Sequence, residues 1–156
     1  MLYITKTNLD QKTARAKHVK SLIKYTKYLN KDITFICRDN NSRNKIFFYL
    51  KVIYFIFKRP QKNIYTRDFD IALIIYLIGR KGVFEIHQFG FIKRNLDLKF
   101  IFFRRFIFSK ILKSSRLQIV VLTKYSSKFL KRLFKQKLNK RIHVISDASD
   151  NLKMID

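Results

Sequence analysis

Alternation between short apolar runs and amphipathic segments constrains the fold of this chain most, and it is clearest in residues 117–150. Residues 119–122 form a β-branched apolar run, residues 125–138 repeat apolar side chains at the spacing of one helix face, and residues 142–145 are apolar again. Thr123 stands where a helix needs an N-cap oxygen. The pattern predicts a strand, a helix and a second strand, and a connection of this length favours parallel pairing of the two strands.

The same alternation extends along the whole chain. We predict further strands at residues 2–5, 33–37, 63–66 and 83–87, and further helices at residues 11–30, 44–57 and 69–78 and from about Leu96 onward. This pattern predicts an α/β fold, a Rossmann-like three-layer sandwich with a mostly parallel sheet. Because no repeat or flexible linker divides the chain, we expect one domain over residues 1–150 and the start of a linker over residues 151–156.

The chain is strongly basic, with a formal net charge of +25 that raises its affinity for polyanions. Lysine, isoleucine, asparagine and phenylalanine are abundant while glycine, proline and tryptophan are scarce, a composition typical of AT-rich coding sequences. A charge of this size indicates a polyanionic partner, either a nucleic acid or an anionic lipid surface, and it does not distinguish between the two. A basic nucleic-acid-binding α/β protein is the alternative interpretation, and it predicts exposed aromatic side chains on the sheet or a contiguous basic face.

Neither a signal peptide nor a membrane-spanning segment is predicted. Polar residues follow Ile4 where a signal peptide would be apolar, and the longest apolar stretch, residues 46–57, contains Lys51 and is shorter than the ~20 residues that cross a bilayer. Cys37 is the only cysteine, and its apolar surroundings predict a buried thiol in a reducing compartment. We expect a cytoplasmic chain, either soluble or attached peripherally to the inner face of the membrane.

No motif for a bound metal or cofactor is present. Three scattered histidines and one cysteine give no spaced set of ligands, and the chain has no Walker loop, no GxGxxG turn and no GxSxG elbow. We therefore expect no metal, no cofactor and no nucleophilic catalysis.

Several segments share residues with one enzyme family. VVLTKYSSKFL and HVISDASD stand near the end of the chain, and ARAKHVKSLIKYTKYL, IYTRDFDIALII and FEIHQF stand earlier. Together they resemble the N-terminal domain of family 4 (group 1) glycosyltransferases, which have the two-Rossmann-domain (GT-B) architecture. Asp150 matches the last residue of the Pro-x-Gly-Val-Asp sequence that precedes the interdomain linker in that family, whereas residues 7–10 replace the glycine-rich turn that usually follows its first strand.

The resemblance implies part of an enzyme of glycan biosynthesis. Members of the family transfer a sugar from a nucleotide-sugar donor to a lipid-linked or saccharide acceptor, with retention at the anomeric carbon and without a bound metal. Their donor binds mainly to a second Rossmann domain. We therefore expect this chain to be the acceptor-side domain, inactive alone, with the nucleotide sugar bound through the absent domain. The expected partners are a glycan or lipid-linked acceptor and an anionic membrane surface, and not a nucleic acid.

Glu85 and His87 are the candidate catalytic residues. Glu85 is the only glutamate, and it lies two residues before His87 at the predicted C-terminal end of the fourth strand, where open α/β sheets bind ligands. Residues two apart on a strand share a face, so Glu85 could set the tautomer or charge of His87. By spacing alone, a histidine that caps the strand and hydrogen-bonds locally remains an alternative. The resemblance assigns His87 to catalysis, because family members carry a histidine at this strand end.

Arg15, His18, Arg67 and Asp68 are the candidate acceptor-binding residues. Arg67 and Asp68 follow the third predicted strand, on the same edge of the sheet as His87, and an ordinary salt-bridged loop is the alternative interpretation. Arg15 and His18 lie on the first predicted helix among other cations. His143, in the last predicted strand, is interpreted as structural.

Residues 89–113 interleave aromatic side chains with cations, and in a helix their apolar residues nearly encircle the axis. Such a segment suits a membrane surface, where aromatic rings enter the headgroup region and cations meet lipid phosphates. A core helix whose cations reach solvent is the alternative, and stacking on bases needs the rings to be exposed. The predicted membrane-surface cations are Lys93, Arg94, Lys99, Arg104, Arg105, Lys110 and Lys113.

Overall fold

Strands and helices alternate along the chain. The computed structural model describes residues 1–29, 31–38, 45–60, 62–86, 98–134 and 142–145, with the backbone alone for residues 98–102 and 133–134. The strands are β1 (Leu2–Asn8), β2 (Thr34–Arg38), β3 (Ile64–Thr66), β4 (Gly82–Ile86), β5 (Leu117–Val121) and β6 (Ile142–Val144). The helices are α1 (Ala14–Tyr28), α2 (Lys45–Lys58), α3 (Phe69–Ile78), α4 (Leu98–Lys113) and α5 (Lys124–Phe134).

The six strands in the described part of the chain form one parallel sheet in the order β2-β1-β3-β4-β5-β6. β1 lies between β2 and β3, with Tyr3 opposite Phe35 of β2 and opposite Tyr65 of β3. β2 lies on one side of β1, and β3 to β6 lie on the other. The loops that follow β1 and β3 therefore lead in opposite directions at the carboxyl end of the sheet. The predicted Rossmann-like three-layer sandwich with a mostly parallel sheet is confirmed.

The two faces of the sheet are covered differently. Right-handed crossovers place α1 on one face and α2 to α5 on the other, because only the first connection runs toward the β2 edge. The buried apolar side chains of α1, Ala16 and Val19, lie outside the main core. That core joins one face of the strands to α2 through α5, and its members are Leu2, Ile4, Ile36, Phe48, Val52, Ile56, Ile64, Ile71, Ala72, Ile75, Phe84, Ile86, Phe108, Ile111, Leu112, Leu117, Ile119, Val121 and Leu130.

Local capping sets the helix boundaries. The Thr13 hydroxyl accepts a hydrogen bond from the backbone N–H of Ala16 at 3.2 Å, so α1 begins at Ala14 and not at residue 11 as predicted. Thr123 caps α5 in the predicted way, because its hydroxyl accepts from the backbone N–H of Ser126 at 3.0 Å. Gly79, with φ of 77°, ends α3 in the left-handed conformation at the predicted place.

The strands differ from their predicted bounds by a few residues. β1 extends to Asn8, because Asn8 pairs with Arg38 of β2. The structure describes β4 as far as Ile86, and His87, the last residue of the predicted strand, lies outside the described residues. Cys37 is half-buried and not buried as predicted, because β2 is an edge strand of the described sheet.

Within the described residues, no helix combines the length and the apolar character needed to cross a bilayer.

We expect Gly82→Ala to destabilise the fold more than Gly79→Asn. A Cβ atom on Gly82 would lie 2.8 Å from the backbone oxygen of Ile64 in β3, so the paired strands would have to shift apart. At Gly79 the nearest atoms belong to the flexible guanidinium of Arg116, and asparagine tolerates the left-handed backbone. Urea unfolding should show a loss of about 1–3 kcal/mol for Gly82→Ala and a smaller loss for Gly79→Asn. Equal losses would contradict this account of strand packing.

Candidate functional site

The candidate site lies at the carboxyl ends of β1, β3 and β4. These strand ends are neighbours because β3 pairs with both β1 and β4. The connection after β1 leads toward one side of the sheet and the connection after β3 leads toward the other. Open α/β proteins bind ligands at the strand ends where this direction reverses. Polar side chains from β1, from α1 and from the loop after β3 contact one another at this edge.

Asp68 connects three elements there. Its side chain is 4% exposed, and Oδ2 accepts hydrogen bonds from the Thr5 hydroxyl at 3.0 Å and from the backbone N–H of Lys6 at 2.8 Å. Oδ1 accepts from Nη2 of Arg15, a half-exposed residue of α1, at 2.7 Å. Because Asp68 also stands at the N-cap of α3, one carboxylate joins β1 and α1 to the start of α3.

Buried threonine hydroxyls lie at the same strand ends. The Oγ1 atoms of Thr5 and Thr7 are 2.9 Å apart, and the backbone N–H of Thr7 donates to Thr5 Oγ1 at 3.2 Å. Thr66 Oγ1 accepts from the backbone N–H of Asp68 at 3.1 Å. Sequence reasoning misses these hydroxyls, because β-branched residues are common in strands for packing reasons alone.

Glu85 belongs to a second polar cluster, on the α1 face of the sheet. It accepts a hydrogen bond from the Tyr65 hydroxyl, and its Oε1 lies 3.7 Å from Nε of Arg67. Burial raises the pKa of Tyr65, and the hydrogen bond to the Glu85 carboxylate raises that pKa further. The ring of Tyr65 stacks on that of Tyr3, with centroids 5.4 Å apart. Two atoms of this cluster, the Tyr3 hydroxyl and Arg67 Nη1, are buried without a hydrogen-bond partner among the described residues.

Asp70 forms a third polar contact, between β1, α2 and α3. Its Oδ1 lies 2.8 Å from Nζ of Lys6, and its Oδ2 accepts a hydrogen bond from the Tyr49 hydroxyl. Burial by itself would raise the pKa of Asp70, but the hydrogen bonds from Lys6 and Tyr49 outweigh it and hold the pKa below its usual value. Burial and then the same hydrogen bond raise the pKa of Tyr49. This contact ties the start of α3 to α2 beside the strand ends.

The structure brings four of the predicted catalytic and acceptor-binding residues to this edge as two pairs. Arg15 contacts Asp68, and Arg67 contacts Glu85. His18 lies on the next turn of α1, where its side chain is exposed. The catalytic role of His87, which lies outside the described residues, stays a prediction, as does the proposed support of its ring by Glu85.

The structure describes the side chains of only four of the predicted membrane-surface cations. Lys93 and Arg94 lie outside the described residues, and Lys99 lies in the part of α4 for which the backbone alone is described. The remaining four lie further along α4. Arg104 is half-buried, and the exposed members are Arg105, Lys110 and Lys113.

Aromatic side chains in the described strands do not form an open stacking surface. Tyr3 and Phe84 are almost completely buried, and Phe35 and Tyr65 are half-buried. Exposed aromatic side chains on the sheet, one of the two features that the nucleic-acid interpretation predicts, are therefore not seen in these strands. His143, interpreted from sequence as structural, is exposed on β6.

Neither a metal cluster nor a known relative assigns a role to this edge. In the described ranges, no group of three His, Cys, Asp or Glu side chains is placed to hold a metal ion. Comparisons of the chain with protein-family models, with curated proteins and with solved structures find no match. Geometry therefore marks these strand ends as the candidate site, because they lie where the direction of the strand connections reverses.

Asp68→Ala should destabilise the fold by roughly 2 kcal/mol, the cost of leaving buried donors unsatisfied. The substitution removes the acceptor for the Thr5 hydroxyl and for the backbone N–H of Lys6, whereas the half-exposed Arg15 returns to solvent. Urea unfolding measures the loss. Asp32→Ala is the control, because its ion pair with Lys62 is solvent-exposed and its removal should leave the midpoint nearly unchanged. Similar midpoints for the two variants would refute the structural role of Asp68.

Asp70 should make stability depend on pH in the acid range. A carboxyl group with a lowered pKa in the folded chain stabilises the fold above its unfolded pKa of about 3.9, and this stabilisation is lost as the pH falls through the folded value. The difference in urea midpoint between wild type and Asp70→Asn should therefore be largest near neutral pH and shrink as the pH falls below about 4. A difference that does not change with pH would show that the Asp70 charge is not the cause.

Proposed function

We propose that this chain is the acceptor-side domain of a glycosyltransferase with GT-B architecture, which transfers a sugar from a nucleotide-sugar donor to a saccharide or lipid-linked acceptor. The observation that supports it most is the meeting of Arg15, Arg67, Asp68 and Glu85 at the carboxyl ends of β1, β3 and β4. The strand order provides the reversal at which such sheets bind ligands. The substrate class comes from the sequence resemblance.

The chemistry of this edge suits a ligand rich in hydroxyl groups. Carboxylates accept and guanidinium groups donate hydrogen bonds, and sugar hydroxyls take part in both kinds. Arg67 Nη1 is a buried donor without a partner in the described part of the chain, and an unsatisfied donor costs free energy. An acceptor oxygen that reaches the pair of Arg67 and Glu85 would remove that cost.

Glu85 and His87 are the catalytic residues of this proposal. Contacts with Tyr65 and Arg67 hold the Glu85 carboxylate on the α1 face of β4. His87 follows the last residue of β4 in the chain, and the resemblance places its imidazole near the transferred sugar. The role of Glu85 is to fix the charge or tautomer of that imidazole.

The donor and the membrane complete the proposal. The nucleotide sugar binds mainly to a second Rossmann domain, provided by the same gene product or by a partner chain. The acceptor-side domain works in the cytoplasm at the inner face of the membrane, where the cations of α4 attract anionic lipid. A lipid-linked acceptor is reached from that position without leaving the bilayer.

Acceptor binding by the purified chain tests the proposal without a donor. A panel of free and lipid-linked oligosaccharides can be screened by saturation-transfer NMR. We expect at least one saccharide class to bind. Arg15→Gln and Arg67→Gln should each weaken that binding about tenfold, because each removes a charged hydrogen-bond donor from the site.

Lys81→Gln is the matched control for these two variants. It removes an exposed cation just before β4, at the opposite edge of the sheet from the site. Thermal unfolding of each variant separates a loss of binding from a loss of folding. If duplex DNA binds more tightly than any saccharide, and Lys81→Gln weakens DNA binding as much as Arg15→Gln does, the chain is the basic nucleic-acid-binding protein of the alternative interpretation.

A further inference from the structure

Helix α2 is apolar on the side that faces solvent as well as on the side that faces the core. Phe48, Val52 and Ile56 are buried against the sheet. With 3.6 residues per turn, its exposed apolar side chains fall within an arc of about 100° opposite those three. They are Ile46, Phe47, Leu50, Tyr54 and Phe57, each between 55% and 67% exposed. A helix that needs only a core contact has polar residues on this side.

The outward side of α4 shows a similar pattern. Phe103 and Phe106 are 59% and 61% exposed, and Lys110 and Lys113 continue the same side at helical spacing. α3 lies between α2 and α4, because the strands that it connects lie between theirs, and its Leu77 is 70% exposed. We call the exposed sides of these three helices the outer helical face. Its apolar members are Ile46, Phe47, Leu50, Tyr54, Phe57, Leu77, Phe103 and Phe106.

Cations border this apolar surface, and acids are nearly absent from it. α2 and α4 contain no Asp or Glu, and Asp70 of α3 is paired with Lys6. Nζ of Lys58 lies 5.4 Å from the ring centroid of Tyr54, and Nζ of Lys110 lies 5.2 Å from that of Phe106. The exposed cations of the two helices are Lys45, Lys51, Lys58, Arg105, Lys110 and Lys113.

This combination of charge and apolar area selects one kind of partner. A second copy of the chain, docked about a two-fold axis, would bring the cations of one face against those of the other. A nucleic acid could stack its bases on the exposed rings of this face, but Ile46, Leu50 and Leu77 offer no ring, so this aliphatic area would stay exposed to water. An anionic bilayer offers phosphates to the cations and acyl chains to the apolar side chains.

We propose that the outer helical face docks on an anionic lipid bilayer, with α2 lying in the plane of the interface as the main apolar anchor and α4 beside it. The rings and aliphatic side chains enter the boundary between headgroups and acyl chains, while the lysines reach the lipid phosphates. This contact deepens the membrane attachment proposed above by naming α2 as its apolar anchor. Vesicle binding and saccharide binding are measured separately, so failure of one is distinguished from failure of the other.

Co-sedimentation of the full chain with lipid vesicles tests the proposal. Vesicles of an equimolar mixture of phosphatidylcholine and phosphatidylglycerol should bind the chain, and vesicles of phosphatidylcholine alone should bind it at least about tenfold more weakly. The triple variant Phe47→Gln, Leu50→Gln, Phe57→Gln should raise the lipid concentration for half-maximal binding about tenfold or more. Its fold should be retained, because all three side chains are already exposed.

The matched control replaces Tyr25, Tyr28 and Leu29 by glutamine. These side chains are 60%, 83% and 41% exposed in and just after α1, on the other face of the sheet. The control should bind vesicles like wild type, and circular dichroism should show native helix content in both triple variants. Unchanged binding by the α2 variant, an equal loss in the control, or equal binding of wild type to both kinds of vesicle overturns the proposal.

A fluorescence measurement locates the contact directly. The chain has no tryptophan, so Tyr54→Trp introduces a single reporter on the outer helical face. Its emission should shift to shorter wavelength on binding and be quenched by lipids brominated near the headgroup, whereas Tyr28→Trp should show neither change. Sedimentation with vesicles without quenching of Tyr54→Trp excludes the proposed orientation. A wild-type dimer that the α2 variant converts to a monomer would show instead that a second copy covers this face.

Discussion

Parallel pairing of β1 on both of its sides is the constraint on which the rest of the structure depends. Because β2 and β3 both pair with β1, the connections that serve them lie on opposite faces of the sheet. The loops that follow β1 and β3 therefore lead away from each other at the carboxyl end of the sheet. Asp68 lies at that opening and accepts hydrogen bonds from the Thr5 hydroxyl, the Lys6 N–H and Arg15. Strand pairing leaves this edge of the sheet open, and the buried Asp68 carboxylate joins the elements around it, which is why we propose it as the acceptor site.

The proposed acceptor edge and the outer helical face are joined by a short chain of contacts. Asp70 at the start of α3 binds Lys6 of β1 and Tyr49 of α2, so the anchor helix is connected to the strand that forms the site. In the proposed arrangement, a bilayer on the outer helical face lies beside the edge at which an acceptor binds.

Features set by residues close together in the chain could be predicted from the sequence, and features set by residues far apart could not. The bounds of α3, Phe69–Ile78, follow from local signals, because a left-handed glycine ends the helix. The end of β1 depends on its pairing with β2, a strand remote in the chain, and its predicted end is therefore too early. Within the site, Arg67 and Asp68 were recognisable as residues that follow a strand. Their partners were not, because Arg15 is 53 positions from Asp68 and Thr5 is 63 positions from it.

The sequence by itself determined the fold class, the parallel sheet and the basic character of the chain, because periodicity and charge depend only on neighbours along the chain and on composition. Tertiary structure alone decided which side of α2 faces the core. That helix is apolar around nearly its whole circumference, so periodicity does not distinguish its sides, and burial against the sheet selects Phe48, Val52 and Ile56. The opposite side is left to solvent with Phe47 and Leu50 exposed, because a single sheet face can cover only one side of a helix.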